Sequence, residues 1–248
     1  MSAVYILWLR QLKRFFRRRA RIIGSIGQPL LYLVALGFGL NPVFRDAGRG
    51  DYLQFLTPGI IAMTIIFTAI FSGIEIIWDR QFGFLKETLV SPVPRYQIMI
   101  GRSLGGASIA TLQGIIVLVL ATVIGFRPLS FSGVMLALLV MFLTALAFTS
   151  LGTAIASQLE DMQGFQLIMN FLVMPLFFLS GAIFPLTGLP AFMAILVRID
   201  PLTYGVDGLR AALIGQNQFP LVTDIGVLMV LTSFLLLVGT YLFSKIEV

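Results

Sequence analysis

Hydrophobic residues fall along this chain in runs of roughly 20, the length that carries a helix across a bilayer core of about 30 Å, and short polar segments separate them. Six runs define the expected spans: residues 22–40, 53–77, 98–125, 131–157, 165–184 and 225–243. The stretch 177–214 does not fit the pattern. It is too long for one crossing, and Pro185, Pro190 and Pro201 break it too often for two. Interrupted helices survive at membrane depth only against other protein or a wet cavity, because hydrocarbon satisfies no backbone polar group. The pattern therefore predicts an external re-entrant helix pair over residues 185–214, before the last span.

Ahead of the first run the period changes. At 100° per residue Arg10, Lys13, Arg14, Arg17, Arg18 and Arg21 share one helix face, and Val4, Tyr5, Trp8, Leu12, Phe15 and Phe16 share the opposite one. This predicts an interfacial amphipathic helix within residues 1–21, its basic face at the headgroups and its aromatic face at the acyl boundary. Arg19 falls on the apolar face, so the helix ends or bends there. A signal peptide with a cleavage site near Ala35-Leu36-Gly37 is the competing reading, but a basic region of 21 residues is long for one.

Composition agrees with the pattern: 58% of the 248 residues are hydrophobic and 11% charged. The expected fold is an all-α polytopic membrane protein with six transmembrane helices, forming a single transmembrane domain over 1–248. Charge then orients it. With the N-terminus inside, twelve of the 17 basic residues fall on the cytoplasmic side and five outside, as the positive-inside rule requires. Both termini are expected in the cytoplasm, with loops 78–97 and 158–164. The net charge of +6 is accounted for by this topology, so nucleic acid is not an expected partner, whereas membrane lipids are.

The chain has no Cys and no His, which removes thiolate and imidazole metal ligands and the commonest general base; no metal site is expected. Asp200 and Asp207 lack a basic or nucleophilic companion at a meaningful spacing, so no catalytic residues are assigned. No phosphate-binding G-x-x-x-x-G-K-[ST] loop occurs, so any ATP used is bound by another chain. Glu75, one turn before Asp79, is the only acidic residue inside an expected span; near the cytoplasmic end it can reach water or pair with Arg80, which makes Glu75, Asp79 and Arg80 a candidate gating cluster. Asp224, just before the last span, is expected to be solvated at the outer surface. Gly37, Gly39, Gly101, Gly105 and Gly106, near span ends, are expected to serve close helix packing.

The first cytoplasmic loop reads WDRQFGFLKETLVSPVPRYQ and predicts a short helix over 84–90, stopped by Pro92 and Pro94. It would present Phe84, Leu85, Leu89 and Val90 beside Lys86 and Glu87, which suits docking into a partner's groove. An ordinary solvated connection is the alternative.

Two segments carry a family resemblance. Ser180-Gly181-Ala182 precedes Leu189-Pro190, and after a ten-residue gap come Pro201-Leu202-Thr203-Tyr204, five residues and Arg210; Gly83 to Arg95 reads GFLKETLVSPVPR. Over nearly its whole length the chain resembles the membrane subunits of type-2 ABC transporters, above all bacterial drug and lipo-oligosaccharide export permeases. The resemblance implies a non-enzymatic permease of the prokaryotic inner membrane that forms half of an export pathway for an amphipathic, lipid-linked or drug-like substrate. A second copy or close paralogue would complete it. Gly83, Phe84, Leu85, Lys86, Glu87, Thr88 and Leu89 would couple it to a separate ATPase, present in two copies and holding ATP and Mg; this chain would bind no cofactor itself. Gly181, Leu189, Pro190, Pro201, Leu202, Tyr204 and Arg210 would be the signature positions of the external pair, with Arg210 snorkelling outward or pairing with Asp207 or Asp200. The rival functions are an ATP-independent secondary transporter, for which the spans offer almost no ionisable group at the midplane, and an intramembrane lipid-processing enzyme, for which no carboxylate cluster is visible.

Overall fold

The computed structural model describes residues 3–17, 19–48, 50–84, 90, 93–186 and 188–245, with 19–23 described in backbone only. Its regular elements are α1 (Ala3–Arg17), α2 (Arg19–Gly39), α3 (Asn41–Asp46), α4 (Tyr52–Phe71), α5 (Ile74–Gln81), α6 (Arg95–Ile124), α7 (Phe131–Gln158), α8 (Met162–Leu179), α9 (Ala191–Ile199), α10 (Pro201–Ile214) and α11 (Leu221–Ser244). No strand occurs among the described residues.

Local chemistry sets many of these boundaries. Asp51, Ser130, Asp161 and Asp200 each cap a helix N-terminus, their side chains accepting from the amides of Leu53, Gly133, Gly164 and Leu202. Pro201 occupies the first turn of α10, where its missing N–H leaves no helical bond unmade. Gly125 and Gly215 terminate α6 and α10 at φ +130° and +69°, where a β-carbon would be strained.

Five segments are long and apolar enough to cross a membrane: Tyr52–Gln81, Arg95–Ile124, Phe131–Gln158, Met162–Leu179 and Leu221–Ser244. They correspond to the second to sixth expected spans, with two differences. The second is two helices, α4 and α5, interrupted at Ser72 and Gly73, and the fifth ends at Leu179, five residues short of the expected end. The first expected span, 22–40, lies on α2, whose described apolar part, Gly24–Gly39, is shorter than a full crossing. Helix α1 is described up to Arg17 and α2 from Arg19; the expected end or bend falls at residue 18, which lies outside the described residues.

Helix α4 is the core of the bundle: most of its side chains are buried, between α2, α6, α7 and α10. Close approach depends on glycine. A β-carbon on Gly152 of α7 would run into the Ile70 carbonyl, and one on Gly73 would run into the Gly152 backbone. The break between α4 and α5 therefore sits where two backbones touch. Helix α1 lies along α6 in a groove opened by Gly101 and Gly105, which face Val4, Leu7 and Gln11; Gly106, on another face, meets Ser72 and Thr149. These three and Gly37, which faces Leu53, have the packing role expected of them; Gly39 has nothing within 4 Å of the place a β-carbon would take.

Candidate functional site

At the end of the bundle that carries the loop 82–94, charged side chains of α1, α5 and α6 converge. Asp79 accepts from Arg102 at 2.6 Å and from Arg10 at 3.5 Å, and Arg14 stands 3.8 Å from Asp79 and 3.6 Å from Glu75. Asp79 and Glu75 are one turn apart on α5, so both carboxylates present to the same side of α1. Burial pulls the Arg10 guanidinium below its ordinary pKa, and the charge of Asp79 opposes this. The aromatic flank of α1 is fixed by Trp8, whose indole N–H donates to Ser108 Oγ at 3.0 Å, and by Phe15, which is buried.

This geometry corrects the expected Glu75–Arg80 pair. Arg80 donates instead to the carbonyls of Ser157 and Leu159, both at 3.1 Å, where it closes the C-terminus of α7. A cation facing Glu75, Arg14, comes from α1, 61 residues earlier in the chain. The basic face of α1 is likewise not all directed at headgroups, since Arg10 and Arg14 turn inward to α5. Tyr5 and Phe16 of the aromatic face are exposed.

The segment expected to couple to an ATPase begins beside this cluster. Gly83 turns the chain at φ +76°, and the Phe84 ring lies under the Arg10 guanidinium, 3.9 Å from centroid to Cζ. Leu85, Lys86, Glu87, Thr88 and Leu89 lie outside the described residues. One side chain of α1 thus touches both Asp79 and Phe84 of that segment.

The signature positions gather at the opposite end. Helices α9 and α10 hold 9 and 14 residues, about 14 and 21 Å at 1.5 Å per residue and too short to cross. Pro190 caps the first and Pro201 opens the second. Tyr204 ties them together, its hydroxyl donating to the Arg198 carbonyl at 2.8 Å, and Leu202 is fully buried. Leu189 lies, partly exposed, in the turn before Pro190. Gly181 turns at φ +73° with Leu186 folded against it, and Gly59 of α4 lets the Ala182 backbone approach so closely that a β-carbon would collide with it.

Arg210 locks this end together. It neither snorkels nor forms a close ion pair: it is 5% exposed, its Nη2 donates to the carbonyls of Gly181 at 3.0 Å and Phe55 at 3.4 Å, and its guanidinium lies 4.0 Å from the centre of the Phe55 ring. One side chain of α10 thereby holds α4 and the turn after α8. Asp207 accepts from the amides of Gln218 at 2.9 Å and Phe219 at 2.8 Å and so organises the link to α11. Burial pushes the Asp200 carboxyl up to about 7, against the Leu202 amide that favours its charged form. Asp224 is fully buried against Gly208, not solvated as expected. Sequence spacing held no sign of the Arg210 or Asp224 environments, because both are made by helices distant in the chain.

Among the described residues no group of three Asp, Glu, His or Cys side chains is arranged to hold a metal ion. Over residues 2–214 the chain matches the family model described as ABC-2 type transporter. It is 30% identical over 230 residues to the inner membrane transport permease YadH of Escherichia coli (strain K12), which covers 92% of this chain and 89% of that protein. The putative transport permease ycf38 of Cyanophora paradoxa is 28% identical over 258 residues, covering 99% of this chain and 89% of the relative. Nodulation protein J of Rhizobium leguminosarum bv. viciae is 28% identical over 228 residues, covering 91% and 87%.

Proposed function

Because the chain belongs to the ABC-2 type transporter family and is a helical inner-membrane permease, we propose that it forms half of the export pathway of an ATP-driven transporter whose ATPase is a separate chain. Two ATPase copies bind ATP and Mg, and a second permease copy or a close paralogue supplies the other half. Both termini lie in the cytoplasm, α1 lies in the inner interface, and α9 and α10 form a re-entrant pair at the outer leaflet.

The observation that carries this reading is the contact of Arg10 with both Phe84 and Asp79. A pull on the segment Gly83 to Leu89 by a docked ATPase reaches α1 through Phe84, then α5 and α6 through Asp79 and Arg102. Glu75, Asp79 and the guanidiniums around them act as the gate's ion-pair cluster, in place of the Glu75–Arg80 pair. The substrate is amphipathic. Nodulation protein J is named for nodulation and YadH for transport at the inner membrane, and an amphiphile suits a pathway between apolar helices.

The test is co-expression with ABC-type ATPase subunits from the same genome, starting with any that is encoded beside this gene. The ATPase is expected to co-purify and its hydrolysis to respond to reconstitution with the permease. Leu89→Asp and Glu87→Ala are expected to weaken that association while membrane insertion stays intact. Failure to co-purify with any ATPase, or normal transport by Leu89→Asp, overturns the reading.

A further inference from the structure

Midway along the bundle, polar side chains gather where the sequence is otherwise apolar. Gln113 of α6 is 3% exposed and is bonded on both sides, its amide donating to Ser25 Oγ of α2 at 2.7 Å and its carbonyl accepting from Thr68 of α4. It stands 19th of 30 residues in α6, about 27 Å from one end and 16 Å from the other. These three residues line a cavity of about 220 Å³ that Phe67 and Phe71 wall on the α4 side.

Gln28 lines the same cavity, and its circumstances differ. It is exposed, it has no hydrogen-bond partner among the described residues, and it is the tenth of the 21 residues of α2. A carboxamide left in hydrocarbon without a hydrogen-bond partner is strongly disfavoured, so lipid tails are the wrong cover for this face. An unpartnered carboxamide beside further amides and hydroxyls at membrane depth calls for water or for a polar ligand. The described lining contains no ionisable side chain. A charged head would enter without a counter-charge, which is far costlier than a neutral one that exchanges hydrogen bonds. The volume is below the roughly 300 Å³ at which pockets enclose a whole drug-sized molecule, as expected of half a site.

We propose that this cavity is the membrane-depth binding site of the transported molecule and that it takes the uncharged, hydroxyl- or amide-bearing head of an amphiphile. Gln28, Ser25 and Gln113 make the hydrogen bonds, and Phe67 and Phe71 pack on the adjoining apolar part. The inference rests on the permease reading and adds the place and the head-group chemistry to it.

The chain contains no Cys, so single cysteines report cleanly. Gln28→Cys, the near-isosteric Ser25→Cys and Leu30→Cys are reconstituted in vesicles and exposed to a soluble, membrane-impermeant methanethiosulfonate. Leu30 is exposed on nearly the opposite side of α2 and does not line the cavity. Gln28→Cys and Ser25→Cys are expected to react about tenfold faster than Leu30→Cys, because thiolate forms only where water reaches. Decyl glucoside at a sub-solubilising level is expected to halve that rate roughly, by occupancy, and decyl sulfate and decyltrimethylammonium to leave it unchanged.

Two cysteines as inert as Leu30→Cys overturn the proposal, as does cross-linking of Gln28→Cys between copies without labelling, which would mark packed interface. Equal protection by the charged amphiphiles overturns the head-group class. Each of these outcomes leaves ATPase co-purification untouched, so failure here is distinct from failure of the permease reading.

Discussion

Arg102 of α6 donates to Asp79 of α5 at 2.6 Å, and the two side chains are only 4% and 8% exposed. A buried pair is costly to break from one side, because the surviving charge has no solvent to receive it. Asp79→Asn leaves Arg102 uncompensated with Arg10 and Arg14 beside it, and is expected to cost about 3 to 5 kcal/mol. Paired replacement of Arg102 and Asp79 by Met and Leu removes both charges and is expected to be far milder. Thermal unfolding in detergent micelles of the two variants and the parent checks the contrast.

Glycines in this bundle divide by what stands opposite them. Gly152→Ala and Gly59→Ala each drive a β-carbon into another segment's backbone, at the Ile70 and Ala182 carbonyls, and backbone cannot rotate away. Both are expected to destabilise by about 1 to 3 kcal/mol, as overpacking does. Gly24 and Gly27 of α2 have nothing within 4 Å of the place a β-carbon would take, and there Ala is expected to be neutral or stabilising by up to about 1 kcal/mol through helix propensity. Melting temperatures of the four variants in one detergent test the division.

The contrast between helices and their contacts explains what was legible in the residues alone. Apolar run length and proline position read out five of the six expected spans and the two short helices α9 and α10, because both depend on neighbours along the chain: Pro190 and Pro201 act within one turn. The same locality explains the misses. Glu75 has Arg80 five residues away, but its described partner Arg14 arrives from a helix docked by Gly101 and Gly105. Arg210 has Asp207 one turn away, but reaches instead for carbonyls 29 and 155 positions distant. The α4–α5 break did leave a trace, Ser72-Gly73 inside an apolar run, which periodicity alone passes over.

Arg210→Lys tests whether the planar fork or the charge alone holds this end of the bundle. A single ammonium can sit near the Gly181 and Phe55 carbonyls, but it lacks the flat guanidinium face that lies on the Phe55 ring. The substitution is expected to cost about 1 to 3 kcal/mol, the range for charge-assisted hydrogen bonds that are lost or weakened. Arg210→Met removes the charge as well and leaves both carbonyls unmet, so it is expected to cost more. Limited proteolysis between α8 and α9 should speed up in the order parent, Lys, Met; equal rates in all three would remove Arg210 from this role.

Asp200 makes the stability of the α9–α10 turn depend on pH. Its carboxyl is raised from an ordinary 3.8 to about 7 because burial disfavours the charged form. The folded state therefore holds this proton at pH values where the unfolded chain has released it. The contribution is fully present below about pH 4, declines as pH rises toward 7, and is absent above the folded pKa. Asp200→Asn keeps an N-cap acceptor for the Leu202 amide and cannot ionise, and Asn caps about as well as Asp. The difference in melting temperature between this variant and the parent is therefore expected to be small at pH 4 and to grow in the variant's favour up to about pH 7, then level off. Melting curves at half-unit steps from pH 4 to 8 measure it. A difference that stays flat across the window would mean that Asp200 is ionised throughout and that its role is the cap alone.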